Sequence, residues 1–193
     1  MLRNVLYLGL SFLVLGCSTP KKSYQDVKQE VILDDRWSDT DNMKCAEDII
    51  KQVMNSDILK EFNMKGEKPV IGINKVTNAT DEVIDTNALI NYIKNELINS
   101  RKVKFVANQD AARELLAKEM KYQHSGNVKA EDRKKIGNQT GLAYFLDGEL
   151  SSKVESDGET KHINYQLNMQ MINLENSEIE WSGMYRLRKE IKK

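Results

Sequence analysis

The feature that most constrains the fold is a run over residues 163–171, in which apolar and amide side chains alternate without exception. Successive side chains of a β-strand point to opposite faces, so this run predicts a strand with one apolar and one polar face. A pairing shift of one residue would bury the amides, so the register should be firmly set. We therefore expect a central strand whose core face carries Ile163, Tyr165, Leu167, Met169 and Met171, with Asn164, Gln166, Asn168 and Gln170 on the other face.

Two further strands flank this run in sequence. An apolar segment over residues 142–146 opens a strand that runs towards Val154, and Asp157-Gly158 is a strong signal for a hairpin turn. After a turn near Ser177, residues 179–187 alternate again. The carboxy-terminal part is therefore predicted to be an antiparallel meander of three strands.

The preceding part of the chain mixes helices and strands. A helix is predicted to begin at Ser38 or Asp39, with its apolar stripe on Met43, Ala46, Ile49, Ile50, Val53 and Met54. A shorter helix should follow over residues 56–63. Residues 69–73 are almost entirely apolar, as expected of a strand covered on both faces.

A polar loop is predicted over residues 74–85, and Thr86 can cap the next helix, which should end at Asn99-Ser100. Residues 103–106 form the second predicted strand, and a strand–helix–strand order favours a parallel or mixed sheet. Two more helices are expected before the meander. The first covers residues 109–122 and the second begins near residue 130 and ends before residue 140; the inward residues of the first would be Ala112, Leu115, Leu116 and Met120.

The amino terminus predicts export and lipidation. An apolar run from Val5 to Leu15 is too short to span a bilayer and is typical of a signal peptide, assigned to residues 1–16. It ends in Leu15-Gly16-Cys17, which resembles a bacterial lipobox, so we expect Cys17 to be the acylated mature terminus. Residues 17–36 would then be a lipidated tether and residues 37–193 one globular domain, and Ser18 resembles the signal for outer-membrane sorting.

Composition argues for a single folded domain without cofactor chemistry. The 193 residues are 40% hydrophobic and carry no formal net charge, so nucleic acid is not an expected partner. Cys45 lies in an apolar helical stripe and is expected to be a small core residue, while His124 and His162 lack metal-ligand spacing. No nucleophile elbow or phosphate loop is present, so we expect no enzyme activity, no metal and no cofactor.

Several segments together resemble one family. These are residues 36–41, Val70–Ile73 with Asp85-Thr86, residues 99–106, residues 141–149 and residues 171–181. From Trp37 to about Arg188 the chain resembles the LpoB-type penicillin-binding protein activators, which are outer-membrane lipoproteins of cell-wall synthesis. Ser177 stands where these relatives often carry glycine.

The resemblance implies a fold and a partner. The fold would be α/β (α+β), similar to the amino-terminal domain of TolB, with helices flanking a small mixed sheet that ends in the antiparallel meander. The partner would be a bifunctional class A penicillin-binding protein, which a monomeric activator binds and stimulates from the periplasmic face of the outer membrane.

Two questions stay open at the level of sequence. Candidate partner-binding residues lie in the predicted loop, at Asn74, Lys75, Thr77 and Asn78. The amide stripe of the central strand is a second candidate surface, and its alternative is a solvated or helix-covered face. The alternative function is a structural subunit of an envelope or secretion assembly, like the curli-secretion lipoproteins.

Overall fold

A computed structural model describes residues 35–107 and 110–192 of the chain. The helices are α1 (Asp39–Met54), α2 (Asp57–Met64), α3 (Thr86–Asn99) and α4 (Asp110–Tyr122). The strands are β1 (Val70–Ala79), β2 (Lys104–Phe105), β3 (Tyr144–Ser156), β4 (Thr160–Asn173) and β5 (Ile179–Lys192). The predicted signal peptide lies outside the described residues. So do Cys17 and most of the predicted tether.

The five strands form one mixed sheet in the order β2-β1-β3-β4-β5. β1 is parallel to β2 and β3, whereas β3, β4 and β5 pair antiparallel in sequence order. The predicted mixed sheet ending in a three-stranded meander is therefore confirmed. β4 has a partner on both sides, although β3 occupies the middle of the sheet.

The two faces of β4 are those that the alternation predicts. All five apolar residues, from Ile163 to Met171, are at most 3% exposed, while the amides between them are half-buried. Helices α1 and α3 lie against the apolar side of the sheet, where Ile49, Leu89 and Ile93 join the core of β4. The helices thus complete a core on one side of the sheet.

The helix starts are set by short polar side chains. Ser38 caps α1, accepting a hydrogen bond from the Asp41 backbone N–H at 3.3 Å, and the Asp41 carboxylate accepts one from the Ser38 N–H at 2.8 Å. This reciprocal arrangement satisfies two backbone donors that the first turn of a helix leaves open. α3 is capped by Asp85 rather than Thr86, because the Asp85 carboxylate reaches the backbone N–H of Asn87 at 3.0 Å.

The loop predicted over residues 74–85 is wrong in its first half, because β1 continues to Ala79. Ile73 pairs with Leu146 and Val76 with Gly148, so two residues of β1 stand opposite Asp147 alone. This β-bulge moves the buried positions from odd to even numbers. A bulge of this kind breaks the period-two pattern on which strand prediction depends.

The segment between α4 and β3 also differs from expectation. Instead of a helix from residue 130 to about 139, only a short turn forms over Ala130–Asp132. Arg133 is already extended and Gly137 has φ +84°, a conformation that ends a helix. α4 itself was predicted to turn its apolar residues inward, and this is wrong: none of its residues is buried, and Leu115 is 68% exposed.

The turn between β4 and β5 contains a residue with positive φ. Ser177 adopts φ +63°, in the left-handed region that only glycine enters without a steric penalty. Its N–H donates to the carbonyl of Asn173 at 2.9 Å, which closes the turn. The serine therefore stands at a position whose backbone geometry suits glycine.

Candidate functional site

The side of the sheet opposite α1 and α3 forms a broad polar surface, which we call the open face. Strand pairing places its residues side by side across β1, β3, β4 and β5, and no described helix packs on it. Its members are Asn74, Thr77, Asp147, Glu149, Ser151, Asn164, Gln166, Asn168, Gln170, Ser182, Met184, Arg186 and Arg188. The amide stripe of β4 is thus the middle of a solvated face.

Hydrogen bonds within β4 and between neighbouring strands fix the side chains of the open face. The Asn74 amide donates to the Asp147 carboxylate at 3.0 Å, and Gln166 donates to Asn168 at 3.0 Å. On β5, Arg186 donates to the Gln166 oxygen at 3.1 Å and Arg188 donates to the Asn164 oxygen at 2.6 Å. The surface is therefore ordered before any partner arrives, which lowers the entropic cost of binding.

The structure separates the four predicted partner-binding residues. Asn74 and Lys75 lie in the bulge opposite Asp147, and Thr77 lies on the open face beside Glu149. Asn78 instead shapes the following turn, donating to the Glu82 carbonyl at 2.8 Å and accepting from the Thr80 N–H at 3.0 Å. Three of the four residues thus border one surface, and the fourth is engaged within the loop.

Glu82 joins that loop to the start of the domain. One carboxylate oxygen accepts the Trp37 N–H at 3.0 Å, and the other forms a short hydrogen bond with the Tyr165 hydroxyl. The Trp37 ring meets the Tyr165 ring edge-on at 5.2 Å between centroids, while Lys161 pairs with Asp35 at 2.8 Å. Burial and the nearby carboxylate raise the pKa of Tyr165, so this hydroxyl stays protonated as a donor.

A buried ion pair also joins the start of the domain to the sheet. Lys189 of β5 lies 2.7 Å from the Asp41 carboxylate, with only 13% and 9% of the two side chains exposed. Lys189 also donates a short hydrogen bond to the Arg36 carbonyl. The residues that precede α1 are therefore fastened to β4, to β5 and to the loop after β1.

The remaining reactive side chains are not gathered into a site. Cys45 is fully buried, as predicted, and burial raises the pKa of its thiol. His162 lies 4.0 Å from Glu190, and the His124 ring contacts the Met120 carbonyl at 2.9 Å. Within residues 35–107 and 110–192 no cluster of His, Cys, Asp or Glu could hold a metal ion. Over the same ranges no helix is long and apolar enough to cross a membrane.

Sequence reasoning did not single out Glu82, Arg186 or Arg188. Glu82 was hidden because its partners, Trp37 and Tyr165, are distant in sequence. The two arginines carried a usable signal, since residues i and i+2 of an alternating strand share a face. Their place on β5 puts two cations at one margin of the open face.

Solved structures that are similar to this chain come from several bacteria. The carboxy-terminal domain of LpoB from Salmonella enterica is 18% identical, with 72% of this chain and 93% of that chain covered and a TM-score of 0.41. The NMR structure of Escherichia coli LpoB is 14% identical, with coverage of 96% and 91% and a TM-score of 0.42.

Lipoprotein GNA1162 from Neisseria meningitidis is 11% identical, with coverage of 63% and 83% and a TM-score of 0.39. No curated protein is significantly similar in sequence. The family described as peptidoglycan-synthase activator LpoB, in contrast, matches residues 41–187, which is most of the chain. On that match, the chain belongs to the LpoB family of peptidoglycan-synthase activators.

Proposed function

We propose that this protein is a lipid-anchored, non-enzymatic activator that binds a bifunctional class A penicillin-binding protein and stimulates peptidoglycan synthesis. The observation that carries the proposal is the family match over residues 41–187, which includes all of the described core and most of the sheet. The family name specifies a peptidoglycan synthase as the target of activation. Among peptidoglycan synthases, the resemblance in sequence favours a class A penicillin-binding protein.

The open face is the surface that best suits such a partner. It is ordered by its own hydrogen bonds, and its chemistry is mixed, with amides, hydroxyls, two arginines and acidic residues. Regulatory interfaces between soluble domains are about as polar as the rest of the surface, and their specificity comes from complementary polar groups. Asn74, Lys75 and Thr77 lie along one margin of this face, at and beside the bulge.

Stimulation of a purified synthase is the direct test. We expect the full-length protein in detergent to raise the glycan-polymerising rate of a class A penicillin-binding protein from its own organism, with no added nucleotide. Asn168→Arg should weaken binding at least about tenfold, because a much longer side chain in the middle of the open face would hold the two surfaces apart, and a loss of about 1.4 kcal/mol is enough for that factor. Polymerisation rate and affinity by surface plasmon resonance are the two measurements.

The matched control is Asn63→Arg on α2, which adds the same side chain at an exposed position on another element. Both variants should keep the circular dichroism spectrum of the native protein. Equal affinity of the two variants would remove the open face as the docking surface. Absence of stimulation by the native protein, with a stable complex on an outer-membrane secretion partner, would favour the structural-subunit alternative.

The proposed location depends on Cys17. We propose that residues 1–16 are removed, that Cys17 is acylated, and that residues 17–36 tether the domain to the periplasmic face of the outer membrane. Several acyl chains on one residue anchor a protein far more firmly than a single chain does. The expected result is a diacylated or triacylated amino-terminal peptide by mass spectrometry, and release of a Cys17→Ser variant from the outer-membrane fraction. Full membrane retention of that variant would contradict the anchor.

A further inference from the structure

The outer edge of β5 has its backbone groups hydrogen-bonded at one residue and unpaired at the described residues that follow. β5 is the last strand of the sheet, so every second residue directs its backbone N–H and C=O away from β4. At Met184 both groups are satisfied by one side chain: the Gln52 amide donates to the Met184 carbonyl at 2.9 Å and accepts from its N–H at 3.2 Å. Gln52 thus occupies the place that a neighbouring strand would take.

The contact between Gln52 and Met184 depends on the glycine at position 183, which has no side chain. A Cβ added to Gly183 would stand 2.3 Å from the Trp181 ring and 2.8 Å from the Gln52 oxygen, so glycine lets both groups approach the strand. The same parity directs the backbone groups of Arg186, Arg188 and Glu190 outward, and among the described residues no backbone or side-chain partner bonds them there. An edge of this kind is a template for strand addition.

Three of the four open-face side chains along this edge, those of Arg186, Arg188 and Lys192, are positively charged, and the fourth is Glu190. Arg186 and Arg188 lie on the open face and are exposed. Their Nε groups donate hydrogen bonds to the neutral side-chain amides of Gln166 and Asn164 of β4, respectively. The acidic side chains nearby already have cationic partners: Glu190 is 2.9 Å from Lys192, and Glu155 is 2.7 Å from Lys153. Neither guanidinium group forms an ion pair with a described carboxylate, although Lys153 and, more weakly, the charge of Arg188 lower the pKa of Glu155.

The spacing of the two arginines matches that of a strand. Residues i and i+2 lie about 7 Å apart along a strand, and an added strand places its own alternate side chains directly opposite them. We propose that the edge of β5 from Arg186 to Lys192 binds, by strand addition, an extended peptide segment of a partner protein that carries Asp or Glu at the two alternate positions opposite Arg186 and Arg188. Gln52 limits the register, because it ends the available edge at Met184.

Self-pairing of two β5 edges is the competing occupant. An antiparallel pair of identical edges centred on Arg188 sets the two Arg188 side chains against each other, while Arg186 of each copy faces Glu190 of the other. Gln52 occupies the backbone groups of Met184 and limits this pair to residues 186–190, whereas a separate peptide can pair as far as Lys192 and place an acid opposite both arginines. The inference goes beyond the proposed function, since it concerns a different surface and a class of ligand that can be tested without any synthase.

The test uses the full-length protein in detergent micelles and a fluorescent short peptide in which Glu and Thr alternate. We expect this peptide to bind, and the peptide with Lys in place of Glu not to bind. The double variant Arg186→Ser with Arg188→Ser should weaken binding at least about tenfold, through loss of two cross-strand charge pairs. The double variant Arg113→Ser with Lys121→Ser, which removes the same charge from α4, should bind as the native protein does.

Two further measurements separate strand addition from simple charge attraction and need no variant. Methylation of alternate backbone nitrogens of the peptide should abolish binding, because it removes the donors that face β5. Hydrogen exchange at Arg186, Arg188 and Glu190 should slow when the unmodified peptide binds. Undiminished binding of the methylated peptide, or equal binding of the Lys peptide, would overturn the proposal. So would a protein dimer that dissociates in the arginine double variant, because the edge would then bind a second copy.

Discussion

Replacing Leu167 by aspartate is expected to unfold the domain. Leu167 is fully buried, between Leu150 of β3 and Tyr185 of β5 on the helix-covered face of β4. An unpaired charge at such a site costs more than about 4 kcal/mol, which is a large share of the 5–15 kcal/mol that stabilises a typical domain. Loss of the cooperative thermal transition by circular dichroism is the measurement.

The matched control is the adjacent residue on the other face. Asn168→Asp introduces the same carboxylate beside Glu149 on the open face, where solvent screens the repulsion. We expect a loss of about 1 kcal/mol and a preserved transition. Similar unfolding midpoints for the two variants would mean that the faces of β4 are wrongly assigned.

Breaking the buried ion pair between Asp41 and Lys189 is expected to have the second largest effect. In Asp41→Ala, the Lys189 ammonium stays largely buried without its carboxylate, and Ser38 loses its acceptor at the start of α1. Removing one partner of a buried pair costs about 3–5 kcal/mol, and losing the hydrogen bonds from Ser38 to the Asp41 carboxylate adds to that loss. Urea denaturation should therefore show a clear fall in the free energy of unfolding.

An exposed ion pair at another helix start provides the comparison. Asp57 and Lys60 are also 2.7 Å apart, but their side chains are 91% and 58% exposed. Asp57→Ala should change the free energy of unfolding little, because water screens this pair in the folded state. Equal losses in the two variants would show that burial of the Asp41–Lys189 pair does not govern its contribution.

Patterns confined to one element predicted the structure well. The alternation over residues 163–171 gave both the strand and its buried face, since burial on one side of a sheet leaves a period of two in the sequence. The Asp157-Gly158 turn and the order of the last three strands followed from equally local signals. A pattern within one segment is enough to predict a structure that depends mainly on residues of that same segment.

The bulge in β1 marks the limit of that reasoning. Asn74 and Lys75 interrupt the alternation, and nothing in their own residue types indicates that Val76 resumes it in another phase. The pairing with β3, whose residues come about 70 positions later, holds the second half of β1 in the sheet. The candidate residues Asn74, Lys75, Thr77 and Asn78 were therefore assigned to a loop, although all four belong to β1.

α4 shows that amphipathicity alone does not locate a partner. Leu115 and Leu116 have helical spacing, yet they are 68% and 44% exposed because no described strand or helix covers them. The open face was undecided for a related reason: the amides of β4 are equally compatible with water or with a covering helix. Which faces stay uncovered depends on where the helices pack, and that is a property of the whole fold.

The contacts between α1 and β5 have a consequence for biosynthesis. Asp41 with Lys189, and Gln52 with Met184, join the first helix of the domain to its last strand. Contacts so far apart in sequence form late, because the intervening chain must first be gathered at an entropic cost. A nascent chain that lacks β5 therefore cannot form these contacts. The contacts that complete the fold thus form only after the carboxy terminus has been made.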